Sequence, residues 1–437
     1  MIGANKQLFK AAGKLSRLAV SLEDHAYCGG FVFSDGALGA KRDAAEYEGK
    51  SGVYVLPEEC DPEALYFVRS EKGISSAAYA NGQMYACFAD GGTFVASQIP
   101  FARAPSCARV FDGGKEGVFL SDGEVVYVLK KGELSAVVGV PAFDCAGYAY
   151  ERLWTYTYAD DGHRVCFSAL GDARDFSENN YYDLPDAKGK VLAFAELDGD
   201  FCVVRQYGAQ TLSVRGKEGS FELSDLPSPA VRIFEGTVCA ENGAVFCLSE
   251  GGLMRFSGGK GEIICSELAG AVPRGGACDI KCIACGGKVY VFFHDGRGVF
   301  VTDASGEEKR FIRREFTAPA LGFTSDGVAV FGVCGRKLYA FGAGKDAFAG
   351  EKVWKSREIF PFDGAKGALE ELIFSADGTF DVHVQSECGE RSFRFVVSGE
   401  SKRVRPSLRG SCFCYEIVCV GEEGSVRSLT AGYSERG

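Results

Sequence analysis

The sequence is poor in the residues from which many enzyme sites and small scaffolds are built. Its 437 residues include four histidines, two tryptophans, three methionines and twelve prolines. His25, His163, His294 and His383 are widely spaced, with no His-x-x-x-His or His-Glu-x-x-His pair, so the helical zinc signature is missing. No run of 18 apolar residues occurs, which leaves no helical membrane span. The start of the chain carries Lys6, Lys10, Lys14 and Arg17 without the apolar stretch of a secretory leader. Positive charge is outnumbered, 48 basic against 59 acidic residues for a net charge of −11, which excludes a binder whose whole surface suits nucleic acid. No phosphate-cradling glycine loop, calcium loop or nucleophile elbow appears. No catalytic set, metal site or cofactor is therefore expected.

Glycine and aromatics are what the chain has in quantity. There are 58 glycines, 34 phenylalanines and 18 tyrosines, where a usual glycine share near 7% would give only about 31. The glycines fall in a rhythm. Asn-Gly, Asp-Gly or Gly-Gly dipeptides followed by an apolar run begin at Asn81, Asp122, Asp161, Asp198, Asn242, Gly286 and Asp326, at spacings of 41, 39, 37, 44, 44 and 40. A second glycine follows ten residues after the first mark at Gly91, Gly132, Gly171, Gly208, Gly252 and Gly296, and nine after it at Gly335. Such dipeptides supply the positive φ angles of two-residue hairpin turns. The runs after them, such as Val125-Val126-Tyr127-Val128-Leu129 and Val289-Tyr290-Val291-Phe292-Phe293, suit a pleated surface.

One small antiparallel sheet per repeat cannot bury both its faces alone, and a closed ring of stacked sheets solves this. The pattern predicts an all-β protein with a seven-bladed β-propeller, six or eight blades being the alternatives. The expected division is an N-terminal arm over 1–24, a propeller over 25–352 and a small sandwich-like β-domain over 353–437. Strand-like runs at Phe31–Phe33 and Val53–Leu56 either close the ring or form an eighth blade. In the C-terminal part, Asp381–Gln385, Phe393–Val397 and Tyr415–Val420 alternate with period two.

The 18 cysteines are too few for a disulfide scaffold. Cys87, Cys166, Cys202, Cys247 and Cys334 sit in apolar alternations and read as buried thiols. Cys278, Cys282 and Cys285 have no second pair to complete a zinc tetrahedron, and Cys412, Cys414 and Cys419 are read in the same way.

Two basic segments are candidate interfaces. Leu8, Ala11, Ala12, Leu15, Leu18, Ala19 and Leu22 recur at helical spacing, which predicts a short amphipathic helix over 5–22. Leu8, Phe9, Lys10 and Lys14 are its candidate docking residues. Arg391, Arg394, Lys402, Arg403, Arg405 and Arg409 form the second group, suited to phosphate contact if they share a face or to guarding a strand edge against aggregation.

Two stretches carry a resemblance. Arg152-Leu153-Trp154, followed by Val165–Phe176 with its Gly171-Asp172 and Phe176, and the strands at Phe201–Val204 and Val245–Leu253, resemble a signature of phage virion proteins. Val353–Arg357, Val404–Gly410, Tyr415-Glu416-Ile417 and Val426–Leu429 are similar to the tail that packaged-DNA-stabilisation proteins, of the head-to-tail connector type, carry after a propeller. Arg405-Pro406-Ser407-Leu408 stands where an Arg-Leu-Pro element is expected. The resemblance covers roughly 150–435. It implies a non-enzymatic phage or prophage component at the head–tail connector or tail, made in the bacterial cytoplasm and incorporated in the virion. Other connector or tail proteins, and further copies of the chain, would be its partners. A glycan-binding or glycoside-active propeller and an intracellular scaffold propeller are the alternatives. Any DNA contact would fall to the C-terminal basic strands, and no membrane contact is expected.

Overall fold

The computed structural model describes residues 16–435 apart from 21–24, 30, 35–36, 41–43, 47, 50–51, 59, 113–114, 159–162, 216–219, 271, 273–279, 295–297, 308, 313–314, 325–326, 342–352, 363–364 and 421–423. The chain divides into two compact units, one of 44–306 with 314–347, the other from the described parts of 1–43, 307–313 and 348–437.

The first unit is the predicted propeller. Seven antiparallel sheets follow one another along the chain. Blades 1 to 7 begin with the strands Ala64–Ser70, Ser106–Asp112, Cys145–Ala149, Val191–Leu197, Cys239–Glu241, Ile280–Cys285 and Thr317–Thr324. Each of these strands packs on the next blade, and that of blade 7 returns to that of blade 1, so the ring is closed. Within this unit blade 6 contributes three strands and the other blades four. The fourth strand of blade 7 is Ala44–Glu46, which pairs with Lys337–Phe341 (Tyr339 opposite Glu46, Phe341 opposite Ala44). The early part of the chain thus supplies the closing strand, and among the described residues it forms no eighth blade.

Side chains alternate between the two faces of each blade. In blade 1, Ala78 and Ala80 join Phe331 and Val333 of blade 7, while Ala77 and Tyr79 join Val118 and Leu120 of blade 2. Blade 4 repeats this, with Phe201 and Val203 facing Trp154 of blade 3 and Cys202 and Val204 facing Val245 and Cys247 of blade 5. Sheets covered on both faces read as unbroken apolar runs, which is the pattern in the sequence. The Phe67 and Phe331 rings stack at 4.8 Å across the closing junction, and each buried phenylalanine contributes about 1.5–3 kcal/mol.

The turns carry the expected chemistry. Asn81 and Gly82 have φ of 50° and 77°, as a type I′ hairpin requires. The same holds at Asp198-Gly199, Asn242-Gly243 and Gly286-Gly287, while the turns marked at Asp161 and Asp326 lie outside the described residues. The marks do not occupy one place in the blade, however. Asn81 and Asp122 join the second and third strands of blades 1 and 2, whereas Asp198, Asn242 and Gly286 join the first and second strands of blades 4, 5 and 6. Both hairpins accept the same dipeptide, so the repeat shifts by one strand between blades 3 and 4.

The second unit is built on one long strand, Gly367–Ser386. Its C-terminal half pairs with Phe413–Cys419, which continues the sheet to Val353–Ser356 and His25–Gly29. Its N-terminal half pairs with Ser425–Glu435, flanked by Ser16–Val20 and Ala37–Ala40. A register shift between Ser375 and Asp377 separates the halves. Along its other side runs Gly389–Val404. Trp354, Leu372, Phe374, Phe380, Val382, Ile417 and Leu429 fill the core. The predicted alternation holds, since Val382, Val384, Phe395, Val397, Tyr415 and Ile417 are all buried.

Two expectations need correction. Residues 16–20 of the predicted helix form a strand, with Ser16 opposite Tyr433 and Val20 opposite Leu429. Pairing with a distant strand overrides a local helical spacing. The docking residues Leu8, Phe9, Lys10 and Lys14 lie outside the described residues. The boundaries also move, because the strands between His25 and Ala40 belong to the second unit rather than to the propeller.

Candidate functional site

The first strands of blades 1, 2, 6 and 7 line a channel-like cavity. Alternation along Ser106–Asp112 buries Ala108 and Val110 and leaves Cys107 and Arg109 open to the channel. Lys281 of blade 6 is likewise exposed between buried Ile280 and Cys282. These residues meet in a cavity of about 770 Å³ formed by blades 1, 2, 6 and 7, with Glu63, Tyr66 and His294 also in its wall. The Arg109 guanidinium lies 4.5 Å from the Phe323 ring centre, a cation–π contact that fixes its position. The Tyr66 hydroxyl donates to the Pro105 carbonyl at 2.6 Å.

Cys107 is exposed to the cavity, whose walls desolvate it in part. Burial pushes its thiol up, and the positive charges of Arg109 and Lys281 pull it down by less. Burial also raises the Tyr66 hydroxyl well above its ordinary value, and the thiols of Cys145 and Cys239 follow. Desolvation therefore keeps these groups in their neutral forms.

Charged residues just before the first strands pair between neighbouring blades. Arg103 binds the Asp144 carboxylate and donates from Nε to the Asp122 carbonyl at 2.8 Å. Asp122 belongs to a marked turn, where its Oδ1 accepts the Glu124 and Val125 N–H groups at 3.0 and 2.9 Å. Lys190 Nζ meets Glu235 at 2.6 Å and lies 4.1 Å from the Tyr158 ring centre. Burial pushes the Tyr158 hydroxyl up.

Among the described residues, the histidine side chains are spread over both units. His294 lines it, His163 is in a blade 3 turn with φ of 49°, and His383 Nδ1 lies 2.7 Å from Ser392 Oγ in the second unit. Cys282 is buried and Cys285 bonds weakly to the Val328 carbonyl at 3.7 Å. Cys278 lies outside the described residues. Cys87, Cys202 and Cys247 are buried as expected, while Cys166 and Cys334 are half-buried, and burial pushes Cys202 up to about 12.

The C-terminal basic group is on one long hairpin but not on one face. Arg394 is opposite Asp381 and Arg391 is opposite buried Val384, so an odd spacing separates them. Arg394 makes two bonds to Asp381 at 2.7 and 2.6 Å, Arg403 pairs with buried Glu371, and Lys402 donates to the Val396 carbonyl. Arg405 follows the end of the strand Gly389–Val404 and Arg409 lies in the strand Leu408–Gly410, opposite Ala368, both exposed. No sequence motif marks the cavity residues Cys107, Arg109 and Lys281. Each is one member of an ordinary alternating strand, and only ring closure joins them.

No family model matches the chain, and no curated protein matches it either. Among solved structures, a virginiamycin B lyase from Staphylococcus aureus, with quinupristin, is similar at 10% identity and a TM-score of 0.42, covering 69% of this chain and 98% of the lyase. BBS1N in complex with ARL6DN is similar at 10% identity and 0.44, covering 69% and 96%. A gluconolactonase from Xanthomonas campestris is similar at 13% and 0.35, covering 68% and 99%. At these identities the likeness concerns the fold alone. The blades above define the chain as a β-propeller protein with a second β-unit.

Proposed function

We propose that the chain acts by binding other proteins and not by catalysis. The observation that carries this reading is the open cavity of blades 1, 2, 6 and 7, where Arg109 and Lys281 stand exposed as cationic contact points beside apolar strand residues. An activated nucleophile has its proton affinity lowered, whereas burial raises that of Cys107 even with Arg109 and Lys281 nearby. The channel wall is thus suited to holding a partner segment rather than attacking one. Within this class we place the chain, on the resemblance set out above, as a phage or prophage structural component of the head–tail connector or tail. Its partners would be connector or tail proteins and further copies of itself. Protein is favoured over DNA as the partner of the C-terminal hairpin, because Asp381 and Glu371 already neutralise Arg394 and Arg403.

Light scattering on the purified chain, with pull-down of connector and tail proteins of the phage or prophage that encodes it, tests this. Assembly into a ring or capture of such a protein is the expected result. An inert monomer, or turnover or binding on a glycan panel, would overturn it.

A further inference from the structure

A second group of residues lies in the second unit. Ile359 and Phe413 form an isolated antiparallel bridge, with N–H to carbonyl distances of 3.0 and 2.9 Å in the two directions. In such a bridge the flanking residues also face one another, which places Glu358 opposite Cys414. Cys412 is two residues from Cys414 and therefore on the same side of the strand. That side points away from the core, since Phe413 and Tyr415 between and beyond them are buried while both cysteines are half-buried. A ligand atom of Glu358, the Cys412 Sγ and the Cys414 Sγ all lie within 4.8 Å of one another.

The backbone that carries these thiols is held from several sides. The Glu387 carboxylate accepts the Ser411 N–H at 2.7 Å, the Ser411 hydroxyl at 2.8 Å and the Cys412 N–H at 3.4 Å. The Tyr415 N–H donates to Ser356 Oγ at 3.0 Å, and the Ile359 bridge fixes Phe413 between the two cysteines. Supports of this kind orient the ligands of metal sites. In tetrahedral zinc, with Zn–S bonds of about 2.3 Å, two thiolates are about 3.8 Å apart. The spread of the three ligand atoms is within small side-chain adjustments of that value.

We propose that Glu358, Cys412 and Cys414 form a binding site for one divalent zinc-like ion, with water in the fourth position. Two thiolates select a borderline-soft metal over magnesium or calcium, which take oxygen ligands. As each metal–sulfur bond forms, the S–H bond breaks and its proton leaves to solvent. The metal stays divalent and no oxidant is required.

The test uses the full chain, reduced and stripped of metal by a chelator, then titrated with Co²⁺ and displaced with Zn²⁺. The expected result is a thiolate-to-cobalt charge-transfer absorption that saturates at one equivalent and is removed by zinc. Cys412→Ser and Cys414→Ser should each abolish it, and Glu358→Gln should weaken binding at least ~tenfold, as loss of one ligand in three. Cys388→Ser, at an exposed cysteine of the same unit, should leave it unchanged. Far-ultraviolet circular dichroism of the metal-free variants verifies their fold. Where a variant is unfolded, protection of Cys412 and Cys414 from maleimide by zinc in the unsubstituted chain decides instead. The proposal is overturned by a charge-transfer band that survives both serine variants, by no band at all, or by a Cys412–Cys414 disulfide in protein prepared with zinc present.

Discussion

Replacing Glu151 by glycine is expected to stabilise the propeller. Tyr150 and Glu151 form the turn between Cys145–Ala149 and Arg152–Tyr156, with φ of 54° and 56°. An L-residue in this left-handed conformation costs roughly 1–2 kcal/mol. Glycine removes that cost but gives the unfolded chain about 0.5–1 kcal/mol more freedom to lose. The balance favours Glu151→Gly by about 0.5–1 kcal/mol. No packing is sacrificed, because the Glu151 side chain is exposed, and its carbonyl, which accepts the Gly171 N–H at 2.8 Å, is unaffected. Tyr150 is not equivalent, since its hydroxyl donates to the Leu212 carbonyl at 2.8 Å. Glu133 is the control. It is exposed, in a strand, opposite Lys130, and Glu133→Gly should cost about 0.5–1 kcal/mol. Guanidinium unfolding midpoints at constant m-value measure both changes. The two substitutions should move the midpoint in opposite directions, and Glu151→Pro, which forces φ near −65°, should lower it most. If Glu151→Gly and Glu133→Gly shift the midpoint down alike, the assigned turn conformation is wrong.

Other perturbations have definite signs. Gly252→Ala should destabilise blade 5 by more than about 2 kcal/mol, because φ is 115° and a Cβ there would stand 2.2 Å from the Cys265 carbonyl oxygen; its unfolding midpoint checks this. The Arg394 hydrogen bonds hold the Asp381 carboxyl below its ordinary 3.8. The pair's stabilisation is therefore complete above that value and fades as pH falls below it, by about 0.5 kcal/mol or less for so exposed a pair; Asp381→Asn should remove this part of the acid dependence in pH-resolved unfolding. At pH 8 Cys107 should react with iodoacetamide more slowly than free cysteine, because the protein around it pushes its thiol up. Arg109→Ala should slow it further by removing one of the two charges that favour the thiolate, as peptide mass spectrometry can follow.

The blade architecture was legible where turn chemistry is explicit. Asn81-Gly82 and Asn242-Gly243 announce their hairpins because few other dipeptides adopt both positive φ angles without strain. Tyr150-Glu151 makes the same turn with residues that give no such signal, so the first hairpin of blade 3 is invisible in the sequence and its mark falls on the second hairpin, as in blades 1 and 2. The closing strand was half legible, since a run before the first blade was expected to complete the ring, yet Ala44–Glu46 has no strand signature of its own. The helical spacing around Leu15 and Leu18 misled because strand pairing with Ser425–Glu435 is a long-range fact. The cavity and the Glu358–Cys412–Cys414 cluster were illegible for the same reason, each being assembled from segments far apart in the chain.

The strand Ala44–Glu46 also sets a timetable. It is made early, yet its partner Lys337–Phe341 emerges almost three hundred residues later. At a synthesis rate of about 5–20 residues per second, the wait is about 15–60 s. Through that interval blade 1 lacks blade 7 on one face; Tyr54 already meets the Phe67 edge, but Phe67, Ala78 and Ala80 wait for Phe331 to complete their cover. The chain's most exposed moment is thus its own production, and a ribosome stalled between blades 1 and 7 would display a sticky open ring. Chaperone demand should therefore track translation speed rather than the stability of the finished molecule.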